Sequence, residues 1–253
     1  MNLTNKVAVV TGASSGVGAQ TAIKLAKLGV SVVINYAHSK QGALNTYNEI
    51  IDLGGHGVVC QADISNEQQC IMLVNTAIER FGQLDIVINN AGTTEFINHK
   101  DLNGLTDDIW QNSLATNLIG PFYVSRAARP FLVKQGGGEI VMTSSIAGLT
   151  THGSSIAYCA AKAGLNSLTK TLANALGEDN IRVNAICPGL IDGEWARSGW
   201  QEHWQAAKDY TLNNSAIKRI STPSDIADSI IAVLLGSDNM TGQLITLDSG
   251  LTL

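Results

Sequence analysis

The stretch Val7-Ala-Val-Val-Thr-Gly-Ala-Ser-Ser-Gly-Val-Gly18 joins a short apolar run to a turn with glycines at positions 12, 16 and 18. The run predicts a strand over Val7–Val10, and the residues from Gly16 onward favour a helix. The glycines permit a tight turn and leave the first N–H groups of the helix pointing outward, where they attract a pyrophosphate. The stretch therefore predicts a phosphate-binding turn, with an ordinary strand–helix turn as the alternative.

The rest of the chain repeats this alternation of short β-branched runs and helical patterns. Apolar strands separated by helices are typical of a parallel sheet covered on both faces. The predicted strands are Val7–Val10, Val32–Ile34, Gly57–Gln61, Ile86–Ile88, Ile140–Met142, Val183–Ile186 and Leu244–Leu247. The predicted helices are Gly16–Leu28, Lys40–Leu53, Glu67–Phe81, Leu105–Val133, Ser155–Leu176 and Pro223–Leu235. We therefore predict an α/β fold, with a single doubly wound domain over residues 1–253, and expect Pro121 to bend the longest helix.

Length and composition limit the class of protein. A chain of 253 residues fits one large α/β domain or two small ones. Because 45% of the residues are hydrophobic and 15% are charged, we expect a compact fold. A net charge of -5 without dense runs of Lys or Arg predicts no nucleic-acid partner and no membrane partner. No apolar run reaches the roughly 18 residues that span a bilayer or suits a signal peptide, so a cytoplasmic location is expected.

Cysteine and histidine spacing gives no sign of a metal site. Cys60, Cys70, Cys159 and Cys187 form no C-x-x-C pair and lie far apart, which favours free thiols. The five histidines lack the spacing of metal ligands, so we expect no metal.

Tyr158 and Lys162 form a candidate proton-transfer pair. They lie four residues apart in a predicted helix and therefore share a face. An ammonium beside a phenol favours the phenolate and is expected to lower the pKa of Tyr158. Ser145, thirteen residues upstream, offers a hydroxyl to an oxygen on which charge develops. A tyrosine packed on a lysine stem without chemistry is the alternative.

Five motifs in order resemble the short-chain dehydrogenase/reductase family over essentially the whole chain. They are T-G-x-x-x-G-x-G at Thr11–Gly18, Asn89-Asn-Ala-Gly92, Asn117, Ser145 and Tyr158-x-x-x-Lys162. The chain is similar to the single-domain branch, which includes 3-oxoacyl-carrier-protein reductases and glucose-dehydrogenase-like enzymes. The resemblance implies a Rossmann-type fold and hydride transfer between a nicotinamide cofactor and a ketone or secondary alcohol.

The resemblance implies catalytic roles for four residues. Tyr158 would be the general acid in ketone reduction and the base in alcohol oxidation. Lys162 would lower the pKa of Tyr158 and hydrogen-bond the nicotinamide ribose. Ser145, favoured over Ser144 by its distance from Tyr158, would hold the substrate oxygen. Asn117 would bind a water that links Lys162 to solvent.

The resemblance also implies a set of cofactor-binding residues in the loops after the strands. Asn90 would contact the adenine-ribose region, and Asp63 with Ile64 the adenine, with a helix N-cap ahead of Glu67 or part of a turn as the alternative for Asp63. Gly193 stands where the family often has a threonine that binds the carboxamide. The full predicted set is Gly12, Ser14, Ser15, Gly16, Val17, Gly18, Asn35, Asp63, Ile64, Asn90, Ala91, Gly92, Tyr158, Lys162, Pro188, Gly189 and Ile191.

The tip of the second strand, Ile34-Asn-Tyr-Ala-His-Ser-Lys40, bears on the choice between NADP and NAD. It contains no carboxylate that would repel a 2′-phosphate, so NADP(H) is favoured, with NAD(H) as the alternative. Against NADP(H), a serine stands at position 15, where many family members have Arg or Lys. The candidate phosphate contacts are Ser14, Ser15, His38 and Lys40, with a solvated residue in the first turn of a helix as the alternative for Lys40.

The resemblance implies a mobile substrate lid at about residues 191–220. This segment contains Trp195, Trp200 and Trp204, of which the last two are expected to share a helix face. The tryptophans are expected to wall a pocket for a large or apolar ketone, or alternatively to pin the lid to the body. Further candidate lining residues are His152, Glu95 and Phe96.

Two questions stay open in the sequence. The small-residue stretch from Ala160 to Leu176 implies, by the resemblance, a dimer or tetramer interface, with burial in the protein's own core as the alternative. A catalytically silent dinucleotide-binding sensor or scaffold is the alternative function. The presence of Asn117, Ser145, Tyr158 and Lys162 together favours the enzyme.

Overall fold

A computed structural model describes residues 2–236 and 238–253. Its sheet has seven strands: β1 (Val7–Val10), β2 (Ser31–Tyr36), β3 (Gly57–Gln61), β4 (Ile86–Asn89), β5 (Gly138–Thr143), β6 (Ile181–Pro188) and β7 (Leu244–Leu247). All neighbouring strands are parallel, in the order β3-β2-β1-β4-β5-β6-β7. The predicted seven-stranded parallel sheet is confirmed.

The described residues form nine α-helices. They are α1 (Gly16–Lys27), α2 (Lys40–Asp52), α3 (Glu67–Phe81), α4 (Asp107–Leu114), α5 (Gly120–Lys134), α6 (Ile156–Leu176), α7 (Glu194–Trp200), α8 (Trp204–Asn214) and α9 (Pro223–Leu235), counted within the described residues. Alternate residues of β1 face the two sides, because side chains alternate along a strand. Val10 packs in a core formed with α1, α2 and α9, and Val9 in a core formed with α3, α5 and α6. The doubly wound prediction is therefore confirmed.

The strand order reverses direction between β1 and β4. Chain order runs outward from β1 to β3 on one side and from β4 to β7 on the other. In open parallel sheets, ligands bind outside the carboxyl ends of the strands at this switch point. The glycine loop after β1 and the segment after β4 are therefore in the position of a ligand crevice.

The long predicted helix Leu105–Val133 is interrupted before Pro121 rather than bent at it. A π-helical turn, Ala115–Ile119, separates α4 from α5, and Pro121 lies in the first turn of α5. Proline has no N–H to donate to the carbonyl four residues earlier, which is that of Asn117. The wider turn follows from that missing donor, and π-bulges of this kind are frequent at functional sites.

The tryptophan-rich segment differs from its prediction. Trp200 ends α7 and Trp204 begins α8, with a 3₁₀ turn at Gln201–His203 between them. Gln201 has φ 47°, so the chain changes direction there. The prediction that Trp200 and Trp204 share a helix face is therefore wrong. An isolated bridge between Ile191 and Ser221 closes the base of the segment.

The sequence also led to expectations about the cysteines and about membrane-spanning helices. All four cysteines are free thiols, as predicted, and three of them are buried. Within residues 2–236 and 238–253, no helix is long and apolar enough to cross a membrane.

Asn35 cross-links the edge of the sheet to the glycine loop. Its side chain is buried, its Oδ1 accepts from the Gly12 N–H at 3.1 Å, and its Nδ2 donates to the Ala62 carbonyl at 2.9 Å. The amide therefore satisfies backbone groups that no strand pairing reaches. The side chain of Asn35 thus supports the glycine loop, and its contact with the cofactor stays a prediction.

We predict that Asn35→Ala lowers the free energy of unfolding by about 2 kcal/mol, because it leaves buried backbone groups without partners. Denaturant unfolding measures this. The matched control is Asn45→Ala, an exposed helix residue whose substitution is expected to change the unfolding free energy by less than about 0.5 kcal/mol. Equal effects of the two substitutions would contradict the role given to Asn35.

Candidate active site

The glycine loop and the segment after β4 pack backbone against backbone. Gly12 has φ +62°, and a Cβ there would lie 2.9 Å from the Cα of Ala91. A Cβ on Gly18 would overlap the Gly12 carbonyl oxygen. The hydroxyl oxygen of Thr11 accepts from the N–H groups of Asn90 at 2.8 Å and Ala91 at 2.9 Å. Glycine is therefore sterically required at positions 12 and 18.

Asn90 contributes to this junction through its side chain. Its Nδ2 donates to the carbonyl oxygens of Thr11 at 3.0 Å and Gly12 at 3.3 Å. The amide nitrogen thus holds the glycine loop in place. Contact of Asn90 with the adenine-ribose region stays a prediction.

The first turn of α1 fits an anionic ligand. Ser15 is the N-cap residue but makes no side-chain hydrogen bond to the helix, and no acidic residue lies in that turn. Gly16 has φ +56° and open space where a Cβ would be. The N–H groups at this helix end are oriented toward the crevice, as pyrophosphate binding requires. Val17 is partly buried and packs against the core, which anchors the turn to the body of the protein.

The beginning of α2 packs tightly against the same loop. A Cβ on Gly42 would overlap the Ser14 carbonyl oxygen, and the Thr46 hydroxyl donates to the Ala13 carbonyl at 3.0 Å. Ser14 and the first residues of α2 therefore lie together. Lys40 is the first residue of that helix and is exposed, with its N–H bonded to the His38 carbonyl at 3.1 Å.

Asp63 and Ile64 follow β3 and have partners within the protein. One carboxylate oxygen of Asp63 accepts from the N–H of Ser65 at 2.9 Å and from its hydroxyl at 2.8 Å. The N-cap of α3 is Asn66, so Asp63 is not the helix cap, and its bonds to Ser65 and Asn66 agree with the other alternative, a residue of the turn before α3. Ile64 is buried against Gly120, where a Cβ would lie 2.9 Å from the isoleucine.

Tyr158, Lys162 and Ser145 converge at the carboxyl edge of the sheet. Ser155 caps α6 by accepting from the Tyr158 N–H at 3.2 Å, which starts the helix one turn before the tyrosine. The Lys162 ammonium lies 5.5 Å from the centre of the Tyr158 ring and donates to the Thr143 carbonyl at 2.8 Å. The Ser145 side chain lies close enough to Tyr158 to lower the pKa of the phenol.

Burial dominates the electrostatics of the pair. It raises the pKa of Tyr158 to about 12, against the opposing effect of the nearby Ser145 hydroxyl. It lowers the pKa of the Lys162 ammonium to about 8. The expectation that Lys162 lowers the pKa of Tyr158 is thus not met in the ligand-free protein, because desolvation is the largest effect on the phenol and raises its pKa. At neutral pH Tyr158 keeps its proton and can donate it.

Asn117 lies buried in the π-helical turn, with its side chain fully used. Its Oδ1 accepts from the Thr93 N–H at 3.1 Å, and its Nδ2 donates to the Thr93 carbonyl at 2.8 Å and the Ser113 carbonyl at 2.9 Å. A Cβ on Gly92 would lie 2.9 Å from Asn117 Oδ1 and 3.8 Å from Lys162 Nζ. Gly92 therefore lets Asn117 and Lys162 approach each other. Because Pro121 has no N–H, the Asn117 backbone carbonyl lacks the usual donor four residues on, and binding of a water by Asn117 stays a prediction.

The segment after β6 runs past Ser145. Ser145 Oγ donates to the Pro188 carbonyl at 3.5 Å. Gly189 N–H bonds to the Leu247 carbonyl at 3.0 Å, and a Cβ on Gly189 would lie 2.9 Å from Asp248. Contact of Pro188, Gly189 and Ile191 with the nicotinamide stays a prediction.

Aromatic side chains cover the catalytic tyrosine. The ring centre of Trp195 lies 6.4 Å from that of Tyr158 and 5.8 Å from that of Phe96. Phe96 also lies 5.5 Å from Trp200, edge to face. A Cβ on Gly199 would overlap the Phe96 ring, so α7 accepts that ring only because residue 199 is glycine.

The other predicted lining residues lie outside this cluster. Trp204 faces the Arg197 guanidinium at 5.9 Å, and His152 lies 6.3 Å from Tyr210. The backbone carbonyl of Glu95 accepts from the Thr94 hydroxyl at 3.1 Å. Gly193 lies against Pro223, with 3.3 Å between its Cβ position and that ring.

Three residues at the site escaped the sequence reasoning. Thr93 and Thr143 act through backbone groups, which no side-chain pattern reveals. Gly199 had a visible signal, since a glycine inside a helix costs about 1 kcal/mol and calls for a packing reason. The predicted catalytic residues and the glycine loop, in contrast, lie together around one crevice.

Comparisons with known proteins agree along the whole chain. The family model described as enoyl-(acyl carrier protein) reductase matches residues 12–252. A Streptomyces violaceoruber protein, named as a ketoacyl reductase of the granaticin polyketide synthase, is 36% identical over 244 residues, 96% of this chain and 95% of that protein. A 3-oxoacyl-[acyl-carrier-protein] reductase from Synechocystis sp. is 33% identical over 261 residues, 99% of this chain and 98% of that protein.

Solved structures agree with the sequence matches. A 7α-hydroxysteroid dehydrogenase complexed with NADH and 7-oxo glycochenodeoxycholic acid superimposes with a TM-score of 0.86 at 30% identity, over 98% of this chain and 96% of that one. Levodione reductase gives a TM-score of 0.89 at 28% identity, over 98% of this chain and 97% of that one. With its parallel sheet, glycine loop and Ser–Tyr–Lys cluster, the chain belongs to the short-chain dehydrogenase/reductase family of nicotinamide-dependent oxidoreductases.

Proposed function

We propose that this protein is an NADP(H)-dependent reductase of apolar ketones, in which Tyr158 donates a proton to the carbonyl oxygen. The observation that carries the proposal is the meeting of Tyr158, Ser145 and Lys162 beside the glycine loop. The relatives named as ketoacyl and 3-oxoacyl reductases support a carbonyl substrate. No feature of the site favours a silent sensor, which would need the glycine loop alone.

The residues of the site divide the reaction between them. When bound, the nicotinamide cofactor supplies the hydride. Ser145 donates a hydrogen bond to the carbonyl oxygen as negative charge develops there. Tyr158 gives that oxygen its proton, and the Lys162 ammonium, charged below about pH 8, stabilises the phenolate that remains. The Asn117 carbonyl is placed to anchor a water next to Lys162, through which the proton is replaced.

The cofactor preference rests on the contact between α2 and the glycine loop. A 2′-phosphate at the tip of β2 would lie near Ser14, the first residues of α2 and the exposed Lys40. No carboxylate lies in that tip to repel the phosphate. A helix N-terminus and a lysine both favour an anion. This arrangement supports NADP(H) over NAD(H).

The substrate preference rests on the aromatic cluster of Phe96, Trp195 and Trp200. These rings lie in contact with one another, and Trp195 lies against Tyr158 and is 56% exposed. An exposed tryptophan next to the proton donor offers apolar surface to a substrate. Residues 191–220 therefore serve as the substrate lid, and the cluster favours a bulky apolar ketone over a sugar.

The exposed face of α6 supports a homo-oligomer. Ala160, Ala163 and Ser167 are exposed in the protomer, so they do not lie in its own core. Small side chains at this spacing allow a second helix to approach closely. Either a dimer or a tetramer is compatible with this face.

We predict that Tyr158→Phe lowers kcat for ketone reduction by about 10²- to 10⁴-fold, the usual contribution of a general acid. Cofactor affinity, measured by fluorescence titration, is expected to stay within twofold, because the glycine loop is unchanged. Steady-state kinetics on a panel of ketones provides the comparison. Full turnover in the variant would exclude Tyr158 as the proton donor.

We predict a higher kcat/KM and a lower Kd with NADPH than with NADH. Lys40→Ala is expected to weaken NADPH binding by about tenfold, the value of a charge-assisted hydrogen bond, without changing NADH binding. Lys27→Ala is the matched control, since this exposed lysine lies in the last turn of α1, at the other end from the crevice. Preference for NADH in the wild-type protein would overturn the assignment.

We predict that Gly199→Ala raises KM for a bulky apolar ketone at least about tenfold, because the added methyl group displaces the Phe96 ring from α7. KM for a small ketone is expected to change less than twofold. Gly177→Ala, at an open position with an ordinary φ, is the control and should leave both values unchanged. Equal effects on both ketones would remove the aromatic cluster from the substrate pocket.

A further inference from the structure

The turn that carries Ser145 is tied to α6 by one buried side chain, Asn166. The Ser144 hydroxyl donates to Asn166 Oδ1 at 2.6 Å, and Asn166 Nδ2 donates to the Gly148 carbonyl at 3.1 Å. Asn166 is 5% exposed and Ser144 is 3% exposed. Asn166 therefore bonds to the residue before Ser145 and to the residue that ends the turn.

The same side chain is in register with the catalytic residues of α6. Asn166 lies four residues after Lys162 and eight after Tyr158, so the three share one face of the helix. The turn itself is a 3₁₀ helix, closed by the Gly148 N–H on the Ser145 carbonyl at 3.0 Å. Because α6 holds both ends of this rigid turn, the distance between the turn and the helix is fixed.

Close packing leaves this turn little freedom. A Cβ on Gly148 would lie 2.6 Å from the carbonyl carbon of Lys162. The Ser144 hydroxyl lies 3.4 Å from the carbonyl oxygen of Lys162, and the Cys187 thiol donates to Asn166 Oδ1 at 3.8 Å. Burial raises the pKa of Cys187 to about 11, so this thiol keeps its proton and acts as a donor.

We propose that Asn166 is a positioning residue for the reaction, which holds the Ser145 hydroxyl at its working distance from Tyr158 and Lys162. Asn166 touches neither the Tyr158 phenol nor the Lys162 ammonium, so it acts through Ser144, Gly148 and the turn between them. Misplacement of a reacting group by about 1 Å can cost about 10²-fold in rate. The inference rests on the roles proposed above for Ser145 and Tyr158.

The chemistry of the asparagine explains why this residue type is needed. Asn166 accepts from Ser144 and donates to Gly148 at once, which neither an apolar residue nor an ionised carboxylate can do. An aspartic acid at this position is equivalent only when protonated, because its O–H then replaces the N–H toward the Gly148 carbonyl. The titratable groups next to it are Lys162 of α6 and Cys187 of β6.

The test compares Asn166→Ala and Asn166→Asp with the wild-type protein in ketone reduction. We expect Asn166→Ala to lower kcat by about 10- to 100-fold, with KM and the cofactor Kd within about twofold. For Asn166→Asp, the ratio of its kcat to that of the wild type should fall as the pH rises, because the buried carboxyl loses its proton.

Asn184→Ala is the matched structural control. Asn184 is equally buried, and it bonds the Met240 carbonyl at 2.8 Å and the Gln243 N–H at 3.0 Å, near the amino ends of β6 and β7. Its substitution should lower Tm without lowering kcat. If Asn166→Ala gives this same result, or if the kcat ratio of Asn166→Asp is independent of pH, Asn166 is only structural. Full activity of Tyr158→Phe would instead reject the proposed function.

Discussion

The close contact between the glycine loop and the segment after β4 is the constraint on which the rest of the site depends. At positions 12 and 18 a Cβ would meet backbone atoms, and the Thr11 hydroxyl accepts two N–H groups from the opposite segment. This junction lies where the strand order reverses, so it sets the floor of the crevice. Gly92 continues the same segment toward Asn117 and Lys162. Cofactor crevice and proton-transfer residues are thus built on one short length of backbone.

Burial gives the catalytic pair its protonation states. Removing Tyr158 from water raises its pKa, and removing Lys162 lowers its pKa, so both changes favour the neutral forms. At neutral pH the tyrosine still holds its proton while the lysine is still charged. Burial makes the charge on Lys162 unfavourable while Tyr158 is neutral, as the lowered pKa of the ammonium shows, and the charge becomes stabilising once a phenolate forms. The site is therefore arranged for the charge distribution after proton donation.

The sequence predicted the elements that depend on local pattern and spacing. Periodicity predicted the strands and most helices, and the glycine positions predicted the loop after β1. The four-residue spacing predicted that Tyr158 and Lys162 share a helix face. All of these features are present in the structure. The errors lie where tertiary contacts decide. Pro121 does mark an interruption of the helix, but the π-helical turn forms before the proline. The turn at Gln201 that separates Trp200 from Trp204 leaves no signal in the hydrophobic periodicity. The prediction of a lowered pKa for Tyr158 was wrong because the spacing of residues does not reveal how deeply a side chain is buried.

Buried and half-buried asparagine side chains hold the loops of this chain in place. Parallel strands end at the carboxyl edge, so the loops there have peptide groups that no neighbouring strand can satisfy. An asparagine side chain carries one acceptor and one donor group, like a peptide unit, and can complete such a loop from a distance. Asn35, Asn90, Asn117 and Asn166 each bond to backbone or side-chain groups of another segment in this way. A buried amide that lacks one of its hydrogen bonds raises the free energy of the folded state, so each of these residues favours a single arrangement of its loop. The four residues together determine where Ser145, Tyr158 and Lys162 meet.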